Sequence, residues 1–161
     1  MKSKSGSLVI GADGRIGRAL VDRLTHAGNK PIQTTRCHNS ISKQKIFLDL
    51  AEDVSQWRPP MKVSVAYFCA AVSSLEQCRR SPVQSKIVNV YHTIELIKSL
   101  VKTGAFVIFP STNLVFDGAK SFRRAEDSVC PVTEYGRQKA EAERQLFALR
   151  KTCPILNPSL I

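Results

Sequence analysis

Near its amino terminus the chain reads Leu8-Val9-Ile10-Gly11-Ala12-Asp13-Gly14-Arg15-Ile16-Gly17. The three apolar residues at the start predict a buried strand, and the amphipathic pattern that follows predicts a helix from Arg15 to Ala27, closed by Gly28. Glycines in the turn let the backbone bend sharply and approach a pyrophosphate, while the helix N-terminus offers free N–H groups. The spacing is GxxGxxG, not GxGxxG, but its place between strand and helix indicates a nucleotide site. The candidate residues of this loop are Gly11, Asp13, Gly14, Arg15, Ile16 and Gly17.

Short apolar runs alternate with longer amphipathic ones along the rest of the chain. Further strands are predicted at residues 31–35, 45–48, 61–70, 105–109 and 153–156, and further helices at residues 83–102 and 133–151. This alternation indicates an α/β fold, a Rossmann-type doubly wound parallel sheet of order 3-2-1-4-5-6 in a single three-layer domain. We expect residues 1–161 to form that domain, with no C-terminal substrate-binding domain, and ligands to bind at the carboxyl ends of the strands.

Composition narrows the class of protein. The apolar fraction of 43% is typical of a globular domain, and no apolar run approaches the roughly 20 residues that span a bilayer. The amino terminus lacks a signal-peptide core, so we expect a cytoplasmic protein without a membrane partner. The five cysteines form no CxxC pair, which argues against a disulfide framework and a metal site. The net charge of +11 is scattered, which favours a solvated basic surface over a nucleic-acid interface.

The end of the second predicted strand bears on the choice of dinucleotide. In NAD-binding domains of this class an acidic residue about 20 positions beyond the glycines binds the ribose 2′-OH. Here Thr35 stands near that position and Arg36 follows it. A missing carboxylate removes repulsion toward a 2′-phosphate, and arginine pairs well with one. We therefore expect NADP(H) to be favoured over NAD(H); the alternative is a surface arginine with no ligand.

Several further motifs, in this order, complete a familiar pattern. They are Phe47-Leu48-Asp49-Leu50, Phe68-Cys69-Ala70-Ala71, Asn89 in the long helix, Ser111-Thr112-Asn113-Leu114-Val115-Phe116-Asp117-Gly118 and Tyr135-Gly136-Arg137-Gln138-Lys139. With the glycine loop, they make the chain resemble the extended short-chain dehydrogenase/reductase family, also called the NAD-dependent epimerase/dehydratase family. The VFDG sequence resembles most the dTDP-4-dehydrorhamnose reductase branch, and the resemblance covers essentially the whole chain.

The resemblance implies roles for the matching positions. Asp49 and Leu50 would lie beside the adenine, and Cys69, Ala70, Ala71 and Asn89 would belong to the cofactor cleft. The catalytic set would be Thr112, Tyr135 and Lys139, and the last two would also contact the cofactor. Tyr135 and Lys139 are four residues apart, on one face of a predicted helix. We expect the Lys139 ammonium to lower the pKa of Tyr135, so that the tyrosine exchanges a proton with a carbonyl oxygen.

The chain also departs from the family pattern. Family members are considerably longer, with a C-terminal lobe that holds the nucleotide-sugar. Asn157 stands where arginine is usual, His92 replaces a glycine, and Asn113 replaces an aspartate. Three interpretations stay open: part of, or a shortened form of, a reductase that transfers hydride to a keto-sugar nucleotide, a non-catalytic NADP(H)-binding regulatory or sensor subunit, or a degenerate product that binds nothing. We expect a nucleotide-sugar substrate only if a lobe is supplied.

Family members usually dimerise through two long helices, which here correspond to residues 83–102 and 133–151. An apolar stripe on the first of these helices would serve a homodimer, or would simply cover the sheet; it comprises Ile87, Val90, Tyr91, Ile94, Ile97 and Val101. The three histidines, His26, His38 and His92, have no catalytic context and are interpreted as surface or packing residues.

Overall fold

The computed structural model describes residues 6–152, whose centre is a five-stranded parallel sheet. The strands lie in the order β3-β2-β1-β4-β5, and each neighbouring pair is parallel. Their bounds are β1 Gly6–Ile10, β2 Ile32–Thr35, β3 Lys45–Phe47, β4 Val63–Phe68 and β5 Phe106–Ile108. The predicted doubly wound order is confirmed for these five strands, whereas the predicted strand at residues 153–156 lies outside the described residues.

Helices connect the strands and cover the sheet. They are α1 Arg15–His26, α2 Leu75–Arg80, α3 Pro82–Lys86, α4 Thr93–Lys102 and α5 Glu134–Thr152. The predicted helix over residues 83–102 is not one regular helix, because a π-helical turn, Ile87–His92, joins α3 to α4. Helix α2 was not predicted from the sequence; its N-cap is Ser74, whose hydroxyl accepts a hydrogen bond from the Gln77 N–H.

The core lies between the sheet and the covering helices. Leu8, Ile10 and Phe68 from the central strands are fully or almost fully buried, as near-continuous apolar strands in a two-sided sheet should be. The helices contribute Ile97, Leu100, Ala142 and Leu146 to the same cluster. Burying a side chain of this size contributes about 1.5–3 kcal/mol to folding.

The apolar stripe proposed for a dimer serves the fold instead. Val90, Ile94, Ile97 and Val101 are buried within the chain, so these four residues are not available to a partner. Tyr91 is the one member of the stripe that is exposed, with 52% of its surface accessible. The expected homodimer through residues 83–102 and 133–151 stays a prediction, but this stripe cannot form its centre.

Within residues 6–152, no helix combines the length and the apolar character that crossing a membrane requires.

Candidate functional site

A cleft of about 360 Å³ opens between the glycine loop and the carboxyl ends of the strands. This is the edge at which parallel α/β sheets bind ligands, because the chain reverses its winding direction there. Ten residues predicted to bind the cofactor line the cleft: Gly11, Asp13, Gly14, Thr35, Arg36, Asp49, Leu50, Cys69, Ala70 and Ala71. Val72, Ser73, Ser74 and Gln77, which the sequence analysis did not single out, extend its wall beyond β4.

The glycine loop packs directly against backbone. Gly11 has φ +82°, and a Cβ atom there would lie 2.7 Å from the Ala70 nitrogen. At Gly17 a Cβ atom would lie 2.2 Å from the Gly11 carbonyl oxygen. Gly17 therefore lets α1 pack close to the turn after β1. Gly17, Arg15 and Ile16, which were predicted to bind the cofactor, lie outside the lining of the cleft.

The first turn of α1 is suited to a phosphate. Its N-cap is Gly14, and among the described residues no side chain caps it and no acidic residue stands in its first turn. The N–H groups and positive end of the helix dipole are thus left for an anion. Together with the close backbone turn, this fits the pyrophosphate of a dinucleotide.

The end of β2 is fastened to the glycine loop. The Gly11 N–H donates to the Thr34 hydroxyl at 2.9 Å, and the Cys37 N–H donates to the Thr35 hydroxyl at 2.9 Å. Arg36, which follows the strand, is exposed on the rim of the cleft. A guanidinium at this point faces the region where the adenosine ribose of a bound dinucleotide would lie.

Asp13 brings a carboxylate to the same end of the cleft. Lys45, the first residue of β3, places its Nζ 2.7 Å from Asp13 Oδ1. Burial alone would raise the pKa of Asp13, but hydrogen bonds from Lys45 and Thr35 outweigh it and hold the pKa below its ordinary value. Asp13 was predicted from the glycine loop, whereas its partner Lys45, 32 positions further along the chain, was not.

Asp49 and Leu50 form the opposite wall. The Asp49 carboxylate accepts a hydrogen bond from the Ala51 N–H at 2.9 Å, which fixes the turn after Leu48. His92 Nδ1 donates to the Leu50 carbonyl oxygen at 2.9 Å. His92 is therefore a packing residue that joins the π-helical turn to this wall.

Asn89, predicted to bind the cofactor, supports the cleft from behind. Its side chain is buried and lies outside the lining of the cleft. Asn89 Oδ1 accepts from the Val72 N–H at 2.8 Å, and Nδ2 donates to the Val72 carbonyl at 2.9 Å and to Gln138 Oε1 at 2.8 Å. Asn89 thus positions Val72, which does line the cleft, and ties that wall to α5.

Lys139 and Tyr135 project from the first turns of α5. Lys139 is only 4% exposed; its Nζ donates to the Pro110 carbonyl oxygen at 2.6 Å and lies 3.5 Å from the centre of the Phe109 ring. Burial lowers the pKa of Lys139 to about 8, against the attraction of Glu143. Lys139 therefore holds the strand end that carries Ser111 and Thr112.

The expected effect of Lys139 on Tyr135 is not found. Burial raises the pKa of the Tyr135 phenol, and the negative charge of a Cys78 thiolate would raise it further. The Lys139 ammonium, which lies against the Pro110 carbonyl and the Phe109 ring, is not among the causes of this shift. Tyr135 is thus a protonated phenol at neutral pH, and a weaker acid than a phenol whose pKa is lowered by a neighbouring cation.

A second cavity of about 220 Å³ lies beyond β5, and Thr112 is the one member of the predicted catalytic set that lines it. Glu143 also lines it, is 7% exposed, and accepts a short hydrogen bond from the Ser111 hydroxyl. Burial raises the pKa of Glu143, with Lys139 opposing. The Glu143 carboxylate was not predicted from the sequence, although it stands one turn beyond Lys139 on the same helix face.

Within residues 6–152, no group of three or more His, Cys, Asp or Glu side chains is placed to hold a metal ion.

The sequence matches one known family and several named proteins. The family described as RmlD substrate binding domain matches residues 6–160. The chain is 28% identical to dTDP-4-dehydrorhamnose reductase of Aggregatibacter actinomycetemcomitans over 153 residues, which is 94% of this chain and 50% of that protein. It is also 28% identical to methionine adenosyltransferase 2 subunit beta of Xenopus tropicalis over 144 residues, 88% of this chain and 42% of that protein.

Solved structures show the same architecture. A dTDP-4-dehydrorhamnose reductase of Clostridium acetobutylicum superposes with a TM-score of 0.75 at 26% identity, covering 89% of this chain and 49% of that one. A UDP-glucose 4-epimerase of Thermotoga maritima gives 0.79 at 20% identity, covering 92% and 52%, which shows the shared fold. The chain spans about half the length of the relatives that it matches.

Proposed function

The chain belongs to the RmlD substrate binding domain family, and from that membership we propose that it is the NADP(H)-binding part of a sugar-nucleotide oxidoreductase. The observation that carries the proposal is the cleft itself. An uncapped helix N-terminus, a glycine turn packed against the segment that follows β4, and the Arg36 guanidinium all meet at the carboxyl edge of the sheet. These are the groups that a pyrophosphate and a ribose 2′-phosphate require.

The proposed reaction is reduction of a keto-sugar nucleotide. A bound nicotinamide dinucleotide supplies the hydride. Tyr135 donates a proton from its phenol to the carbonyl oxygen, which takes up negative charge as the hydride arrives. Thr112 adds a hydroxyl at the end of β5 that can hydrogen-bond the same oxygen. Lys139 positions the segment that follows β5 through its hydrogen bond to the Pro110 carbonyl oxygen.

The substrate class is proposed from the relatives. The matching reductases act, by their names, on dTDP-4-dehydrorhamnose, and structural neighbours include an epimerase with bound UDP-glucose. We propose that the substrate of this chain is likewise a nucleotide-linked keto-sugar, and that turnover requires a substrate-binding segment in addition to the described residues.

Calorimetric titration of the chain with NADPH and then NADH tests the cofactor proposal. We expect both to bind, with NADPH tighter because Arg36 can pair with its 2′-phosphate. The Arg36→Met variant should lose affinity for NADPH and keep its affinity for NADH. If neither nucleotide binds the unaltered chain, the proposal is wrong.

Oxidation of NADPH in the presence of dTDP-4-dehydrorhamnose tests the reaction. In a preparation that turns over, Tyr135→Phe should lower kcat by about 100-fold or more, because proton donation contributes that much. Tyr91→Phe, an exposed tyrosine on the π-helical turn, is the matched control and should leave kcat unchanged. Equal rates for Tyr135→Phe and the unaltered protein would refute the assigned proton donor.

One observation favours a second candidate, a binding subunit without turnover. The Lys139 ammonium is engaged with Pro110 and Phe109, and the pKa of Tyr135 is raised by burial instead of being lowered by that ammonium. The similarity to methionine adenosyltransferase 2 subunit beta, a relative that is named as a subunit, supports this role. A subunit of this kind would bind NADPH tightly, would not oxidise it with any keto-sugar nucleotide, and would change the kinetics of an added methionine adenosyltransferase.

A further inference from the structure

The Asp13 carboxylate lies where it should weaken the binding of NADP(H), the nucleotide that Arg36 favours. Asp13 lines the cleft beside Thr35 at the end of β2. An acidic group at this end of a Rossmann cleft accepts a hydrogen bond from the ribose 2′-OH and repels a 2′-phosphate. β2 itself ends without an acid, but the glycine loop supplies one from a different part of the sequence.

Lys45 compensates that charge. Its Nζ lies 2.7 Å from Asp13 Oδ1, and only 26% of its side chain is exposed, against 46% for Asp13. Partial burial limits screening by solvent, so the pair is close to neutral as seen by a ligand. An ammonium has three N–H donors, of which Asp13 Oδ1 takes one.

Because this pair is close to neutral, the Arg36 guanidinium that follows β2 gives this end of the cleft a net positive charge. We infer that Lys45 is a specificity-determining residue, which neutralises Asp13 and so allows the 2′-phosphate of NADP(H) to bind beside Arg36. The inference rests on the proposed dinucleotide site and assigns its selectivity to a residue of β3 that does not itself line the cleft.

Titration of four proteins with NADPH and NADH tests this assignment: the unaltered chain, Lys45→Met, Asp13→Asn and the double variant. Methionine keeps the unbranched stem of lysine and removes only the charge. We expect Lys45→Met to lower the ratio of NADPH to NADH affinity by about tenfold, because it leaves Asp13 uncompensated. Asp13→Asn should keep or increase the ratio, and the double variant should restore it.

The double variant separates charge compensation from damage to the fold. If Lys45→Met weakens both nucleotides by one common factor, or if the double variant keeps the low ratio, Lys45 does not act through Asp13 and the inference is overturned. Lys102→Met, at the far end of α4, is the control for loss of one positive charge and should leave the ratio unchanged. Failure of the unaltered chain to bind either nucleotide would overturn the proposed function, and this inference with it.

Discussion

Two glycines lie where one stretch of backbone rests directly on another. A Cβ atom at Gly17 would lie 2.2 Å from the Gly11 carbonyl oxygen, and one at Gly136 would lie 2.1 Å from the Leu114 carbonyl oxygen. In each case the obstacle is main chain, which cannot move aside as a flexible side chain can. The first contact determines how closely α1 packs on the glycine turn. The second determines how closely α5 packs on the segment that carries Thr112.

Gly17→Ala should therefore be strongly destabilising. We expect a loss of about 3 kcal/mol in the free energy of unfolding, since overpacking outweighs the better helix propensity of alanine. Gly14→Ala is the matched control, because its Cβ would meet the Gly11 carbonyl oxygen only at 3.4 Å. That variant should lose about 1 kcal/mol or less. Urea denaturation measures both, and equal losses would show that the contact at Gly17 is not limiting.

The buried Lys139 makes a second prediction at the residue scale. Its pKa is lowered from 10.5 to about 8, so between these pH values the unfolded chain binds more protons than the folded one. Stability due to this group must then rise with pH across that window, by up to about 3 kcal/mol. Subtracting the free energy of unfolding of Lys139→Met at each pH isolates the effect. A difference independent of pH from 7 to 10 would mean that Lys139 titrates in the fold as it does in water.

At the scale of elements, the π-helical turn between α3 and α4 directs side chains to the cleft wall. The Thr93 hydroxyl donates to the Val88 carbonyl five residues earlier at 2.7 Å, in keeping with the wider turn. Within that turn Asn89 reaches Val72 and His92 reaches the Leu50 carbonyl. π-helical turns are frequently found at functional sites, and here the turn supports two walls of one cleft.

Asn89→Ala tests that support. It would remove the Asn89 partner of the Val72 N–H, the Val72 carbonyl and the Gln138 amide oxygen, at a cost of about 2–4 kcal/mol in the free energy of unfolding. Affinity for NADPH should fall as well, because Val72 lines the cleft. Asn29→Ala, at an exposed turn after α1, should change stability by about 0.5 kcal/mol or less. Unchanged NADPH affinity in Asn89→Ala would show that the wall does not depend on Asn89.

Periodicity in the sequence predicted the strands and long helices better than it predicted irregular turns, short helices and long-range side-chain contacts. Apolar runs located every described strand, and the glycine loop with Arg36 located the cleft, because strand ends converge on one edge of a parallel sheet. The π-helical turn escaped, since a stripe of period 3.6 does not reveal one inserted residue. Helix α2 was missed although Ser74 and Gln77 have the spacing of a capping box. Lys45 at Asp13 and Glu143 at Ser111 are contacts across 32 residues, which no local pattern encodes.

At the scale of the whole molecule, charge is the dominant feature. The chain carries 24 lysines and arginines against 13 aspartates and glutamates. Many of its ion pairs lie within one helix, three or four residues apart, as in Glu76 with Arg79 and Glu141 with Arg144, and such exposed pairs contribute little to stability. The excess positive charge is thus spread over the surface and attracts phosphates in general, in addition to the specific groups of the cleft.

Salt separates this general attraction from a local contact with the 2′-phosphate. At about one hundred times its Kd, NADPH should raise the free energy of unfolding by about 2.7 kcal/mol, or the Tm by about 5–10 °C. Raising the salt concentration from a low value to about 0.15 M should lower the affinity for NADPH more than the affinity for NADH. The reason is that the extra phosphate adds a charge that pairs with Arg36. Tripolyphosphate is the control: it has neither the adenosine 2′-phosphate nor the two nucleosides, so it should give a smaller increase in Tm than NADPH. If NADPH and NADH lose affinity by one common factor as salt rises, the 2′-phosphate is not held by a charged group, and the preference assigned to Arg36 is wrong.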